Sequence, residues 1–165
     1  MMPTLHSGKL RSMASVYLMR NDQLLLLFRQ GKSIVSNLWI GSAGGHFDKN
    51  EVSSAKACLL RELWEELSIS EESISNLSLR YVTLRYTDGE IRQNYYFFAD
   101  LTDPHIDTPQ STEGITQWFS FHELSTLPMP VTARHIIDHY IHTGRFDNKL
   151  YGGLSTQSNI VMIAL

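Results

Sequence analysis

One segment of this chain has to be an amphipathic helix, and it limits what the rest can be. Between Glu51 and Leu67 the apolar residues Ala55, Leu59, Leu60, Leu63 and Leu67 recur at threes and fours, the period of a helix with one face in a core. Glu62, Glu65 and Glu66 stand beside Arg61 on the same stretch. At the helical period Glu62 and Glu66 lie one above the other with Glu65 next to them, while Leu59, Leu63 and Leu67 form a separate stripe. Like charges so placed repel, and the arrangement costs stability unless something positive sits among them. It reads either as a solvated acidic face or as an oxygen-rich ligand set for a hard divalent cation.

The flanking segments have strand composition. "MASVYLMRNDQLLLLFRQ" gives two apolar runs around "RND", a hairpin or bent strand pair from 13 to 30. "GKSIVSNLWIGSAGG" reads as a loop, a short strand at 34 to 40 and a glycine turn. "LSLRYVTLRYTDGEIRQNYYFFADL" places two β-rich runs about "DG", the dipeptide that supplies positive φ in a tight hairpin. Farther on, "ITQWFSF" reads as a strand, "HELSTL" as a short helix, Thr132 to Thr143 as a helix, and "NIVMIAL" as a strand. With no repeat and no dividing linker, the 165 residues are expected to form a single domain over 1–165, an α/β or α+β sandwich.

Composition narrows the function. A net charge of −3 with 19% charged residues carries no basic surplus, which argues against a binder of nucleic acid polymers. Cys58 is the lone cysteine, so no internal disulfide or Cys-rich zinc site can form, and a reducing cytoplasm fits best. No run reaches the roughly 18 apolar residues of a membrane span, and "MMPTLHSGKLRSMAS" lacks the apolar core of a signal peptide. The expectation is a soluble, unexported protein without a membrane partner.

The stretch "GGHFDKNEVSSAKACLLRELWEELSIS" resembles the signature of the Nudix hydrolase family, in its MutT-like form: Gly, five residues, Glu, seven residues, then Arg-Glu-aliphatic-any-Glu-Glu-any-Gly-aliphatic. "RELWEELSI" at 61–69 matches at every specified position but one, where Ser68 replaces glycine. Gly45 and Glu51 have the right mutual spacing, but nine residues rather than seven separate Glu51 from Arg61. Counting back from Arg61 lands on Ser53, which cannot replace a glutamate. Either a longer loop still delivers Glu51, or Asp48 serves instead, or no residue does.

The resemblance implies a mixed sheet sandwiched by helices and hydrolysis of a nucleoside diphosphate linked to another group, with Mg2+ or Mn2+. It implies Glu65 and Glu66 as principal metal ligands and Glu62 as a ligand or base. Arg61 would hold a glutamate in place, and the main chain at Gly45 would reach the metal or a phosphate. Outside the signature, Glu113 is a candidate further ligand or base and Arg29 a candidate phosphate contact. Trp39, Tyr95, Phe97 and Met129 are candidate walls of a base pocket, since bases stack on aromatic faces.

Oxidised dGTP is the leading substrate expectation, with ADP-ribose or another nucleoside diphosphate derivative as the alternative. Two other classes compete: an isopentenyl-diphosphate isomerase-like enzyme, which would need a catalytic cysteine, and a non-catalytic nucleotide-binding regulatory module. His135, His139 and His142 share a helical face that must also pack, which argues against a metal site there. His46 reads as a loop histidine without a partner, and Cys58 as a buried core residue. The tail "NIVMIAL" reads as a core strand or as the edge of a homodimer.

Overall fold

The computed structural model describes residues 9–30, 37–156 and 159–165. The opening "MMPTLHSG" and the 34–36 part of the expected short strand lie outside the described residues. Within them the elements run β1 (Lys9–Arg20), β2 (Gln23–Arg29), β3 (Leu38–Ile40), β4 (Ala43–His46), α1 (Ala55–Leu67), β5 (Ile74–Thr87), β6 (Glu90–Leu101), β7 (Gly114–Ser120), α2 (Val131–His142), β8 (Tyr151–Ser155) and β9 (Ile160–Ala164). Among the described residues no helix is long and apolar enough to cross a membrane.

Both expected hairpins form through two-residue turns whose residues sit at positive φ: Asn21 (50°) and Asp22 (59°) join β1 to β2, and Asp88 (51°) and Gly89 (77°) join β5 to β6. Such turns match the right-handed twist of the strands they connect. The strands make one mixed sheet in the order β3-β2-β1-β6-β5-β8-β9, with β4 added on β1 and β7 on β2. The long β1–β6 pairing is parallel, as is β5–β8.

β1 divides its second edge between two partners. Leu18 to Arg20 pair with β2, whereas Met13 to Val16 pair with β4. Where the partners part, buried Ser42 fills the gap: its hydroxyl accepts from the Leu18 N–H at 2.8 Å and donates to the Leu25 carbonyl at 2.5 Å. Two backbone groups that the split would leave unpaired in the interior are thereby satisfied.

The helices cover opposite faces. Cys58, Leu59, Leu63 and Leu67 of α1 are buried with Ala14, Val16, Leu18, Phe97 and Ala99. Ile136, Ile137 and Tyr140 of α2 are buried with Tyr17, Tyr81 and Phe98, the Phe98 and Tyr140 rings stacked 3.8 Å apart. Each fully buried Leu or Ile side chain is worth about 1.5–3 kcal/mol, so both helices are fixed by packing.

The structure corrects the sequence reading in four places, the first being the expected glycine turn, since Gly44 and Gly45 lie within strand β4 paired to β1. α1 starts at Ala55, where Ser54 caps it by accepting from the Ala57 N–H at 3.1 Å, and Glu51 lies in a preceding 3-10 turn, Lys49–Glu51. The expected helix in "HELSTL" is one 3-10 turn, Leu124–Thr126. Strand β8 has no counterpart in the reading because Gly152 and Gly153 suggest a turn; its place between β5 and β9 comes from tertiary pairing.

Ser68 ends α1 in the left-handed conformation, φ 55°, ψ 33°. The other non-glycine residues at positive φ are Asn or Asp, which tolerate that region better than serine. We expect Ser68→Gly to raise unfolding stability by about 1 kcal/mol. Denaturant unfolding of the two proteins measures this, and an unchanged or lower midpoint in the variant would contradict the account.

Candidate active site

The site begins where α1 crosses β4. Gly44 and Gly45 pair with Ser15 and Ala14 of β1, and α1 passes so close that a Cβ on Gly45 would collide with the Glu62 carboxylate. The flexible Glu62 tip can turn aside, whereas a Cβ on Gly44 would strike the Ala14 carbonyl and Ser15 Cα of β1, so glycine is needed at 44 for close backbone approach, not for unusual dihedrals. The Gly44 N–H donates to Glu66 Oε2 at 3.1 Å.

Arg61 organises the acidic groups. Its Nε donates to Glu51 Oε1 at 2.7 Å and its Nη2 to Glu51 Oε2 at 3.0 Å, a two-pronged pair. Its Nη1 donates to Glu62 Oε1 at 2.8 Å and Glu65 Oε2 at 3.0 Å, and Nη2 also reaches the His46 carbonyl at 3.0 Å. Planar bidentate geometry is what a guanidinium offers and an ammonium does not. The two extra residues before Arg61 are absorbed by the 3-10 turn and the Val52–Ser53 turn ahead of α1. Glu51 therefore reaches Arg61 despite the longer spacing. Asp48 lies 3.5 Å from Arg61 Nε with its side chain largely exposed, whereas Glu51 is buried and also accepts from the Asp48 N–H at 2.8 Å.

Glu66 is buried at the inner end of this cluster. Burial pushes its carboxyl up to about 7; the Gly44 N–H and Arg29 oppose the rise, while Glu62 and Glu113 add to it. Glu113 arrives because the Thr112 N–H donates to the Glu66 carbonyl at 3.3 Å, docking the loop before β7 onto the end of α1. Arg29 Nη2 lies 3.4 Å from Glu113 Oε2. A cleft of about 60 Å3 lies between Met13, Ser15, Arg29, Gly44 and Glu66. A larger cleft, about 560 Å3, lies at the far end of β1 between Arg20, Asp22, Asp100 and Arg145, away from the carboxylates.

The donors fit a hard divalent cation in kind: carboxylates of Glu62, Glu65 and Glu66 with the Gly45 carbonyl. A cation would favour the ionised form of Glu66, which burial disfavours. As the side chains stand, no three His, Cys, Asp or Glu groups among the described residues converge into a metal cage. Arg61 draws Glu62 and Glu65 towards itself, so metal entry requires those two side chains to turn.

The remaining candidates are scattered. Phe97 is packed into the core under α1, and Tyr95 stacks on Phe47 with ring centres 5.5 Å apart. Trp39 and Met129 belong to the other core, Trp39 meeting Phe119 edge-on at 4.7 Å. These aromatics do not line one pocket. His139 meets the Tyr81 hydroxyl at 2.9 Å and is taken up by packing. Burial, and then Arg11 and Arg92, hold the His46 imidazole below its ordinary value. Burial and Glu51 push the Cys58 thiol up to about 12, so it is a poor nucleophile. Met13 and Ser15 were not singled out in the sequence; their alternation along β1 marks a common face, but only pairing shows that the face leads to Glu66.

A family model for the NUDIX domain matches residues 9–140. The chain belongs to the NUDIX family. Its activity class is accordingly that of a Nudix-type pyrophosphohydrolase, and the Nudix fold extends to solved structures. A MutT protein from Bacillus halodurans superposes with a TM-score of 0.63 at 20% identity, covering 93% of this chain and 97% of that one. An Ap4A hydrolase from C. elegans gives 0.65 at 16% identity, covering 83% and 99%. The NUDIX domain of Shewanella oneidensis NrtR, complexed with ADP ribose, gives 0.59 at 15%, covering 86% and 90%. No curated protein matches the sequence significantly.

The Glu51–Arg61 pair of this Nudix domain has a pH signature. Arg61 holds the Glu51 carboxyl down from 4.5 to about 2. Because the folded value lies below the unfolded one, the stabilisation is full above about pH 4.5 and is lost as pH falls towards 2. Stability measured by denaturant from about pH 5 to 3 should therefore fall less steeply in Glu51→Gln than in the unsubstituted protein. Equal slopes would remove Glu51 from that role.

Proposed function

We propose that this chain hydrolyses a nucleoside diphosphate linked to another group, by attack of water on phosphorus, with Mg2+ or Mn2+ at the glutamate cluster. The observation that carries the reading is the single guanidinium of Arg61 bonded to Glu51, Glu62 and Glu65, with Glu66 anchored on the Gly44 N–H beside them. Glu62, Glu65, Glu66 and the Gly45 carbonyl would hold the ion. When bound, it neutralises phosphate oxygens and makes water easier to deprotonate.

The chain's own groups supply the rest. Arg61 sets the positions of Glu62 and Glu65, and Glu51 fixes Arg61 from behind. Glu113, with its side chain partly exposed beside Arg29, accepts the proton of the attacking water as the phosphorus–oxygen bond to the leaving group breaks. Arg29, on releasing Glu113, is free to pair with a phosphate oxygen. By likeness of layout to the MutT protein, oxidised dGTP heads the substrates to try, followed by ADP-ribose and dinucleoside polyphosphates. The intact Glu62, Glu65 and Glu66 favour catalysis over a purely regulatory module.

The test is phosphate or pyrophosphate release from this panel with Mg2+, Mn2+ or EDTA. Turnover is expected with metal and lost in EDTA, and Glu66→Gln should reduce kcat at least about 100-fold. Undiminished metal-dependent turnover in Glu66→Gln would overturn the mechanism.

A further inference from the structure

On the sheet face that carries Met13 and Ser15 of β1, three arginines stand side by side. Arg11 of β1 is in register with Arg92 of β6, and Arg92 with Arg85 of β5. Like charges directly opposite one another on neighbouring strands destabilise a sheet, so the row has a cost that the fold does not require. Among the described residues the acid that bridges Arg11 and Arg92 is Glu90, whose Oε2 is 3.7 Å from the Nε of each, too long for a hydrogen bond. Among the described residues Arg11 and Arg92 thus share one negative partner, and Arg85 forms no ion pair.

Two polar atoms here are buried without a hydrogen-bond partner among the described residues: Arg92 Nε and, one step along the same face of β6, Asn94 Oδ1. Buried polar atoms are ordinarily satisfied, and leaving one unpaired costs about 1–3 kcal/mol. The Arg11 and Arg92 side chains are nevertheless 40% and 39% exposed overall, so a ligand can reach their guanidinium groups.

The row's position fits one end of a substrate. Asn94 is in register with Met13, and Ser15 with Gly44; Met13, Ser15, Gly44 and Glu66 share the catalytic cleft. Arg11 is four residues from Ser15 along β1, about 13 Å at the rise of a strand. A diphosphate held at Glu66 would leave its nucleoside lying over Met13 and Asn94 and directed at the arginines.

We propose that the Arg11–Arg92–Arg85 row binds a second anionic group of the substrate, a phosphate ester on the nucleoside ribose, so that the preferred substrates are nucleoside diphosphate derivatives carrying such a phosphate. The inference rests on the function proposed above and narrows its substrate class. Guanidinium groups suit the task because they meet phosphate oxygens in pairs. Asn94 Oδ1 is positioned to accept from an N–H or O–H of the same nucleoside.

The test uses matched pairs differing by one ribose phosphate: coenzyme A with 3′-dephospho-coenzyme A, and ADP-ribose 2′-phosphate with ADP-ribose. Both kcat/KM and calorimetric affinity are measured with Mg2+. In at least one pair the phosphorylated member should be favoured by about tenfold or more through KM and affinity, and Arg92→Gln should bring that ratio close to one. Removing one of three adjacent like charges should not lower the melting temperature; Arg85→Gln, at the end of the row, is the second variant if it does.

Equal kcat/KM and affinity within both pairs, or a preference that survives in both variants, would overturn the inference while leaving the hydrolase reading intact. A binding preference that the variants abolish, with no hydrolysis of any compound, would sustain the inference and overturn the proposed function.

Discussion

Everything at the candidate site depends on one guanidinium placed among carboxylates. Arg61 is bonded to Glu51, Glu62, Glu65 and the His46 carbonyl, so it ties α1, the turn before it and the end of β4 into one unit. A single positive charge cannot neutralise three glutamates and the nearby Glu66. The residual negative charge makes a divalent cation a favourable partner, and the same bonds explain why Glu62 and Glu65 can crowd together in its absence.

The fold prepares this crowding from below. Splitting the second edge of β1 between β2 and β4 would leave unpaired backbone at the fork; Ser42 closes it. β4 is then fixed against β1 with its two glycines under α1, and the missing side chain at Gly45 is the space that Glu62 occupies. On the opposite edge, the loop bearing Glu113 is brought in by a main-chain bond to the last turn of α1. Backbone contacts therefore set the position of the acidic side chains, while packing of Leu59 and Leu63 fixes the helix that carries most of them.

Charge is distributed unequally over the molecule. The acids collect where α1 meets β4, and the arginines of β1, β5 and β6 align several residues away. Each cluster is unfavourable by itself; of the acids Glu66 lines the cleft, and the arginines stand on the strand face that also carries Met13 and Ser15. With the cation at one end, the two would present positive potential to both ends of a doubly anionic ligand, despite a net chain charge of −3.

The sequence by itself determined the elements whose signals are local. The period of Leu59, Leu63 and Leu67 specified α1, "DG" specified one hairpin turn while "RND" left a hairpin or a bent strand pair, and "RELWEEL" specified which carboxylates share a face, because each depends on residues a few positions apart. It did not determine whether Glu51 reaches Arg61: that depended on a 3-10 turn taking up two extra residues, where loop geometry rather than spacing decides. Nor could it reveal that β8 is a strand, that Phe97 and Trp39 belong to different cores, or that Arg11, Arg92 and Arg85 are neighbours. Those facts follow from pairing between distant segments, and alternation along a strand says only which residues share a face. Which strand lies alongside, in which direction and register, was decided by the tertiary structure through burial of both faces and the closing of backbone hydrogen bonds.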